Sequence, residues 1–260
     1  MSFFSGYKPS LSTPSVKPFN VALPAFAAAA TSGAGSEHII PEHTPISNQL
    51  SLSSCVANCV GDLLEIVIGL EDSSKVVQIS RLHLYWSARS YTRDTDKDDG
   101  TMIANAIDSL RTLGVCREET WPYDVSKVFA QPPLRAYKES LDNKILEYYR
   151  VYGGQTSRAD GVEVAVRANH PVTIATAVDN DFLAYRGGGK VWSPPSSWVG
   201  YHAMIVVGVR LGKNGREFLL RNSWGDGWGD GGHVWVHESY IAWDQTSDTW
   251  VVTRVPGLVF

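Results

Sequence analysis

Cys55 opens the stretch SSCVANCVGDLLEIV, with Ser53 and Ser54 before it and Val56, Val60, Leu63, Leu64, Val67 and Ile68 recurring behind it at three- and four-residue steps. That spacing predicts a helix over 54–69, capped at Ser53 or Ser54 and stopped at Gly69. A thiol in the first turn of a helix meets unpaired backbone N–H groups and the positive end of the macrodipole. Both favour the thiolate, which is the nucleophilic form. The competing reading is packing, because free cysteines behave as small apolar residues in cores. Packing suits Cys59, one turn deeper in the same helix, and Cys116, which follows Gly114 and Val115.

Three other residues give Cys55 company. Gln49 lies six residues upstream, His202 stands in GYHAMIVVGV 147 residues downstream, and Asn222 follows in RNSWGDGWGDGGHVWV. Taken singly each is ordinary: a solvated glutamine, a satisfied core histidine, a tight turn. Together and in this order they resemble the papain-like cysteine peptidases, whose bacterial branch, poor in disulfides, is the closer match. The resemblance runs from about Ile40 to Tyr240. NQLSLSSC looks like the segment leading into the nucleophile, DDGT like the glycine strand of the substrate cleft, and GVCREETWPYD like the passage between lobes. The Asn-Ser-Trp-Gly block is the most specific signal.

The resemblance implies an α+β fold of two lobes, one helical and one β-barrel-like, with the active-site cleft between them. It implies an endopeptidase that works through an acyl-enzyme and needs no cofactor. Cys55 would attack, His202 would move the proton, Asn222 would orient the ring and Trp224 would shield that bond from water. Gln49 and the backbone N–H of Cys55 would hold the oxyanion. An imidazolium beside a thiolate would titrate as one unit with it. Substrate would pair along Asp99 and Gly100 in β fashion, with Tyr201 and Trp224 lining the walls. Ser51 and Ser53 replace glycines usual in the segment before the cysteine, and Val56 replaces an aromatic. These departures predict crowding at the oxyanion site. They also keep two other functions open: a binding module on a weakened scaffold, and an acyltransferase or deamidase using the same triad.

His233 and His237 share one face of a predicted strand and, with Cys55 and Cys59, make a count of two histidines and two cysteines. The cysteine spacing on a helix is not a zinc knuckle, so no metal is expected. A net charge of -4 gives no footprint for nucleic acid, and no run of 18 apolar residues predicts a membrane span. Three cysteines make no disulfide framework, which suits a reducing compartment such as the cytoplasm without requiring one.

The elements that must hold these residues change character along the chain. SRLHLYWSARSY and DDGTMIANAIDSLRTLG predict two further helices, the second ending at Gly114. After WPYD the runs PVTIATAV, YHAMIVVGVRL, REFLLRNSW, GGHVWVHESY and DTWVVTRV predict strands, and LGKNGRE a hairpin turn. The chain therefore divides into a helical lobe at 38–124 and a strand-rich lobe at 125–260. Residues 1–37 stand apart, with four prolines, an alanine-rich patch and three charges. They predict a regulatory segment whose KPFNVALPAF portion lies over the cleft as the protein's own partner, competing with a peptide or protein substrate.

Overall fold

The stretch after Ser54 folds as one long helix, α1 (Cys55–Glu71), buried on nearly every side. Ser54 is its N-cap, yet the hydroxyl makes no capping bond because Tyr123 and Asn58 Nδ2 engage it. Gly69 does not stop the helix, which runs two residues further and closes with Asp72 N–H on the Ile68 carbonyl at 2.9 Å. A Cβ at Gly69 would lie 2.3 Å from the His43 ring, so glycine is there for close approach rather than termination. The computed structural model describes residues 6–10, 36–145, 147–151 and 157–254.

Before α1 comes the short strand β1 (His38–Ile39), and after it the predicted helices α2 (Arg81–Ser90) and α3 (Ile103–Thr112). Gly114 follows α3 with φ 74 and donates its N–H to the Ser109 carbonyl, the helix-ending role expected of it. The second half adds helices that the strand-like texture concealed: α4 (Leu134–Ser140), then β2 (Glu147–Arg150), then α5 (Arg158–Arg167). A capping box between Ser157 and Asp160 starts α5 and was readable in the sequence. The rest of the chain runs β3 (Val172–Val178), α6 (Asn180–Ala184), β4 (Val191–Trp192) and β5 (Gly200–Gly212). It closes with β6 (Gly215–Arg221), β7 (His233–His237), α7 (Glu238–Ala242) and β8 (Thr246–Arg254).

These strands form one sheet in the order β2-β8-β3-β5-β6-β7-β4, with β1 on β5. All pairs are antiparallel except β4 with β7, and LGKNGRE is the turn of the β5–β6 hairpin. Seven consecutive buried residues in β3 and eight in β5 make these the central strands. Their register sets Ala203 opposite Ala175 and His202 opposite Thr176. The start of α1 packs on β5, and the Cys59 thiol donates to the Met204 carbonyl at 3.1 Å.

Charges buried in this packing are neutralised within it. Asp62 and Glu65 of α1 both take Arg81 of α2, and Asp62 also takes Arg221 Nε at 3.2 Å from the end of β6. Arg221 pairs with Glu42 as well, and Glu42 receives His233 at 3.0 Å. The network ties the helix that begins at Cys55 to the strand that ends just before Asn222. No helix among the described residues is long and apolar enough to cross a membrane.

Candidate active site

Cys55 lies at the first position of α1 and is fully buried. The backbone N–H groups of Ala203, Val56 and Gly6 face its sulfur. Ala203 follows His202 on β5, so the thiol sits against the strand that carries the histidine. The three cysteines are free thiols.

His202 is 1% exposed, and its Nε2 lies 2.6 Å from Asn222 Oδ1. Asn222 Oδ1 also accepts the Ser223 N–H at 2.7 Å, while its Nδ2 has no partner among the described residues. An amide oxygen only accepts, so the ring carries its proton on Nε2 and keeps the Nδ1 lone pair free. Trp224 stacks on the ring with centroids 4.3 Å apart and planes 26° apart.

Gln49 reaches the same place from the loop before α1. Its Oε1 accepts from Ser223 Oγ at 3.0 Å and Trp224 Nε1 at 3.2 Å, and its Nε2 donates to the Leu52 carbonyl at 2.9 Å. Two backbone bonds lace the strips together: Gln49 N–H to the Ser223 carbonyl and Gly225 N–H to the Ser47 carbonyl, both 2.9 Å. This lacing brings Gln49 within reach of residues more than 170 positions away. One Nε2 hydrogen remains uncommitted among the described residues.

The expected crowding by Ser51 and Ser53 does not take the form of backbone strain. Neither has a positive φ; Leu50 takes the left-handed conformation instead, at φ 53 and largely exposed. The Ser53 N–H is held by both oxygens of Asp98, at 3.0 and 3.2 Å, and Tyr85 donates to the same carboxylate at 2.7 Å. Asp98, Asp248 and Arg221 were not singled out from the sequence. Arg221, a charge closing the apolar run FLL, carried a local signal; Asp98 lies in the charged run DTDKDD and Asp248 among polar residues, and neither was marked.

Burial works against the expected ion pair. Burial pushes the Cys55 thiol up to about 12, against the opposing pull of the N–H groups around it, and lowers His202 to about 4 despite its bond to Asn222. Both shifts favour the neutral forms, because the sulfur and the ring are covered.

The cover is the protein's own chain. Residues 6–10 run beside Thr101 in a parallel bridge, with Thr101 N–H on the Gly6 carbonyl at 3.0 Å and Lys8 N–H on the Thr101 carbonyl at 2.9 Å. Thr101, one residue beyond Gly100, makes these bonds; the Gly100 N–H is taken by Tyr85 Oη at 3.1 Å. Gly6 passes so close to Gly100 that a Cβ on Gly100 would lie 2.4 Å from the Gly6 carbonyl carbon. Asp99 is exposed beside this contact. Lys8 Nζ reaches Asp94 at 3.2 Å. Tyr7 is buried, with its ring 6.3 Å from that of Tyr201. Tyr201 itself donates to Gln245. The stretch KPFNVALPAF, expected over the cleft, lies outside the described residues; among the described residues of 1–37, the earlier Gly6 to Ser10 lie against the site.

The two histidines weighed as metal ligands have other partners. His233 pairs with Glu42, and the His237 ring accepts the Ser239 N–H at 3.1 Å to cap α7.

Comparison with known proteins bears on this geometry. Residues 38–248 match the family described as papain family cysteine protease. An uncharacterized peptidase C1-like protein of Acanthamoeba polyphaga mimivirus is 29% identical over 225 residues, covering 83% of this chain and 72% of the viral one. Falcipain-3 of Plasmodium falciparum is 25% identical, covering 83% of this chain and 43% of its own length. Among solved structures, xylellain, a cysteine protease from Xylella fastidiosa, superposes with a TM-score of 0.82 at 24% identity, covering 98% of this chain and 97% of that one. A procathepsin B from Trypanosoma congolense superposes with a TM-score of 0.69 at 15% identity, covering 96% and 86%. These two likenesses are of fold.

Proposed function

Because the chain belongs to the papain family of cysteine proteases, we propose that it is an endopeptidase working through a thioester on Cys55, and that residues 6–10 hold its cleft shut until displaced. The observation that carries the first half is one juxtaposition. The N–H of Ala203 faces the Cys55 sulfur while the adjacent His202 has its Nε2 committed to Asn222. That leaves Nδ1 as the ring's free base.

With the cleft open, water re-enters and the penalty on charge falls. His202 Nδ1 takes the thiol proton and the sulfur attacks the substrate carbonyl carbon. The oxygen that becomes an oxyanion is held by the uncommitted Gln49 Nε2 hydrogen and the Cys55 N–H. His202 then gives its proton to the leaving amine as the C–N bond breaks, leaving a thioester. Water, deprotonated by the same ring, attacks the thioester and releases the carboxylate, and the thiol regains its proton. Asn222 keeps the ring in one tautomer and Trp224 keeps water off that bond.

The division into a covering segment at 1–37, a helical part at 38–124 and a strand-rich part at 125–260 fits this reading. The first part contributes Gly6 to Ser10, the second Cys55 and Gln49, the third His202 and Asn222.

The test is hydrolysis of an unfolded protein substrate by the full chain, with Cys55→Ala and His202→Ala as comparisons. Each variant should retain its circular dichroism and lose at least about a thousandfold in rate. Hydrolysis persisting in folded Cys55→Ala refutes the assignment. Amine incorporation without hydrolysis would make the protein an acyltransferase instead.

A further inference from the structure

The two oxyanion donors named above, the Gln49 side chain and the Cys55 N–H, sit at opposite ends of a turn without regular secondary structure. Leu50 in that turn is exposed and left-handed at φ 53, a conformation that persists only where its surroundings enforce it. The turn holds itself by one reciprocal pair, the Leu52 N–H on the Gln49 carbonyl at 3.2 Å and Gln49 Nε2 on the Leu52 carbonyl at 2.9 Å. Donors must be placed closely to hold a developing charge, and a misplacement of about 1 Å can cost a hundredfold in rate.

One side chain reaches both ends of this turn. The Tyr123 phenol donates to the Gln49 carbonyl at 2.9 Å and lies 2.5 Å from Ser54 Oγ. Asn58, in the first turn of α1, donates Nδ2 to Ser54 Oγ and to the Ser54 carbonyl, both at 3.0 Å. The proton directions close without conflict. The Gln49 carbonyl only accepts, so the single phenol proton goes there; Ser54 then donates its hydroxyl proton to Tyr123 Oη and accepts from Asn58. Burial pushes the phenol up to about 12, so that proton is present at neutral pH. This relay explains why the N-cap serine of α1 caps nothing. A missing cap weakens a helix, and the hydroxyl holds the turn instead.

We propose that Tyr123 is a positioning residue for the oxyanion site: by tying the Gln49 carbonyl to the N-cap of α1, it fixes the Gln49 amide and the Cys55 N–H at one separation. This rests on the peptidase reading above. The Tyr123 ring is placed independently of its hydroxyl, since its N–H donates to Glu118 and the ring packs against the core. Removing the oxygen alone therefore cuts the tie and leaves the ring where it is.

The experiment uses the full chain carrying Tyr7→Ala. Tyr7 anchors the covering segment by donating to Asp248 Oδ2 at 2.7 Å, in the β8 bulge where the β3–β8 register shifts, so its loss frees the cleft. In that background Tyr123→Phe should lower kcat on a peptide about tenfold, with KM changed less than about twofold. Alkylation of Cys55 by iodoacetamide develops no oxyanion and should change less than about twofold. Added to Gln49→Ala, Tyr123→Phe should cost less than about threefold, because the remaining donor has no partner to be aligned with. Unchanged kcat, a tenfold loss in both backgrounds, or alkylation that falls in step with hydrolysis overturns the proposal. If the Tyr7→Ala chain cleaves no peptide, the peptidase reading fails and the tie is tested without it. Amide exchange over residues 48–55 should then be at least about tenfold faster in Tyr123→Phe, and unchanged protection overturns the tie itself.

Discussion

Substituting Gly6 by alanine should open the cleft without removing any contact the covering segment makes. A Cβ built there would sit 2.2 Å from the Ser53 carbonyl oxygen and 3.0 Å from the Cys55 nitrogen. Both are backbone atoms at the buried start of α1, so no rotamer change relieves the clash. Burial of the Tyr7 ring, roughly 200 Å² at about 25 cal/mol per Å², favours the covered state by about 5 kcal/mol. Two backbone hydrogen bonds add about 2 kcal/mol, and the phenol-to-carboxylate bond about 2 kcal/mol more. Ordering five residues and one large side chain opposes this by about 7 kcal/mol. The Lys8–Asp94 pair, with side chains 30% and 22% exposed, adds little. The balance is about 2 kcal/mol for the covered state, which leaves a few per cent of molecules open. Overpacking typically costs about 1–3 kcal/mol, enough to remove that margin. Gly6→Ala should therefore raise kcat/KM about 10- to 30-fold, the ceiling being set by full opening. Alkylation of Cys55 should rise with it, because the thiol held near 12 by burial is rehydrated. Peptide turnover and iodoacetamide labelling of the full chain read both effects. Wild-type rates in folded Gly6→Ala refute the reasoning.

Other perturbations address other parts of the site. Gln49→Ala removes one oxyanion donor and should lower kcat about 100-fold or more in the Gly6→Ala background with little change in KM, read by steady-state kinetics. Asp62→Ala leaves Arg81 and Arg221 short of a buried partner and should destabilise the fold by about 3–5 kcal/mol, read by urea unfolding. Burial lowers His83 and His202 to about 4 each, below their ordinary value near 6.5. The unfolded chain therefore takes up protons first, so this stability is complete above about pH 6.5 and is lost as pH falls toward 4. The urea midpoint should drop across that window, and His83→Gln should flatten the slope. An unchanged slope would contradict the burial argument.

Much of the fold was legible because its signals are local. The three- and four-residue apolar step from Val56 to Ile68 marks α1, and the β-branched runs from 172 to 254 mark the sheet. Misses were local conflicts settled by packing: Gly69 read as a stop but serves His43, and the strand-like second half hid α4 and α5. Residues 1–37 were expected to lie over the cleft around KPFNVALPAF, which falls outside the described residues; that Gly6 lies against the start of α1 is something proline and alanine content does not encode.

The residue types proposed to attack, move a proton and hold a ring were thus legible from sequence alone, since chemistry belongs to side chains and their order survives in one dimension. Tertiary structure decided their state. Tyr7 meets Asp248 across 241 positions, Gln49 meets Ser223 across 174, and Asp62 meets Arg221 across 159. No local period encodes such pairs, because they depend on how α1 is set against β5 and on a bulge in β8. Whether Cys55 is a thiol or a thiolate likewise depends on what excludes water above it, and that is a property of the packed chain.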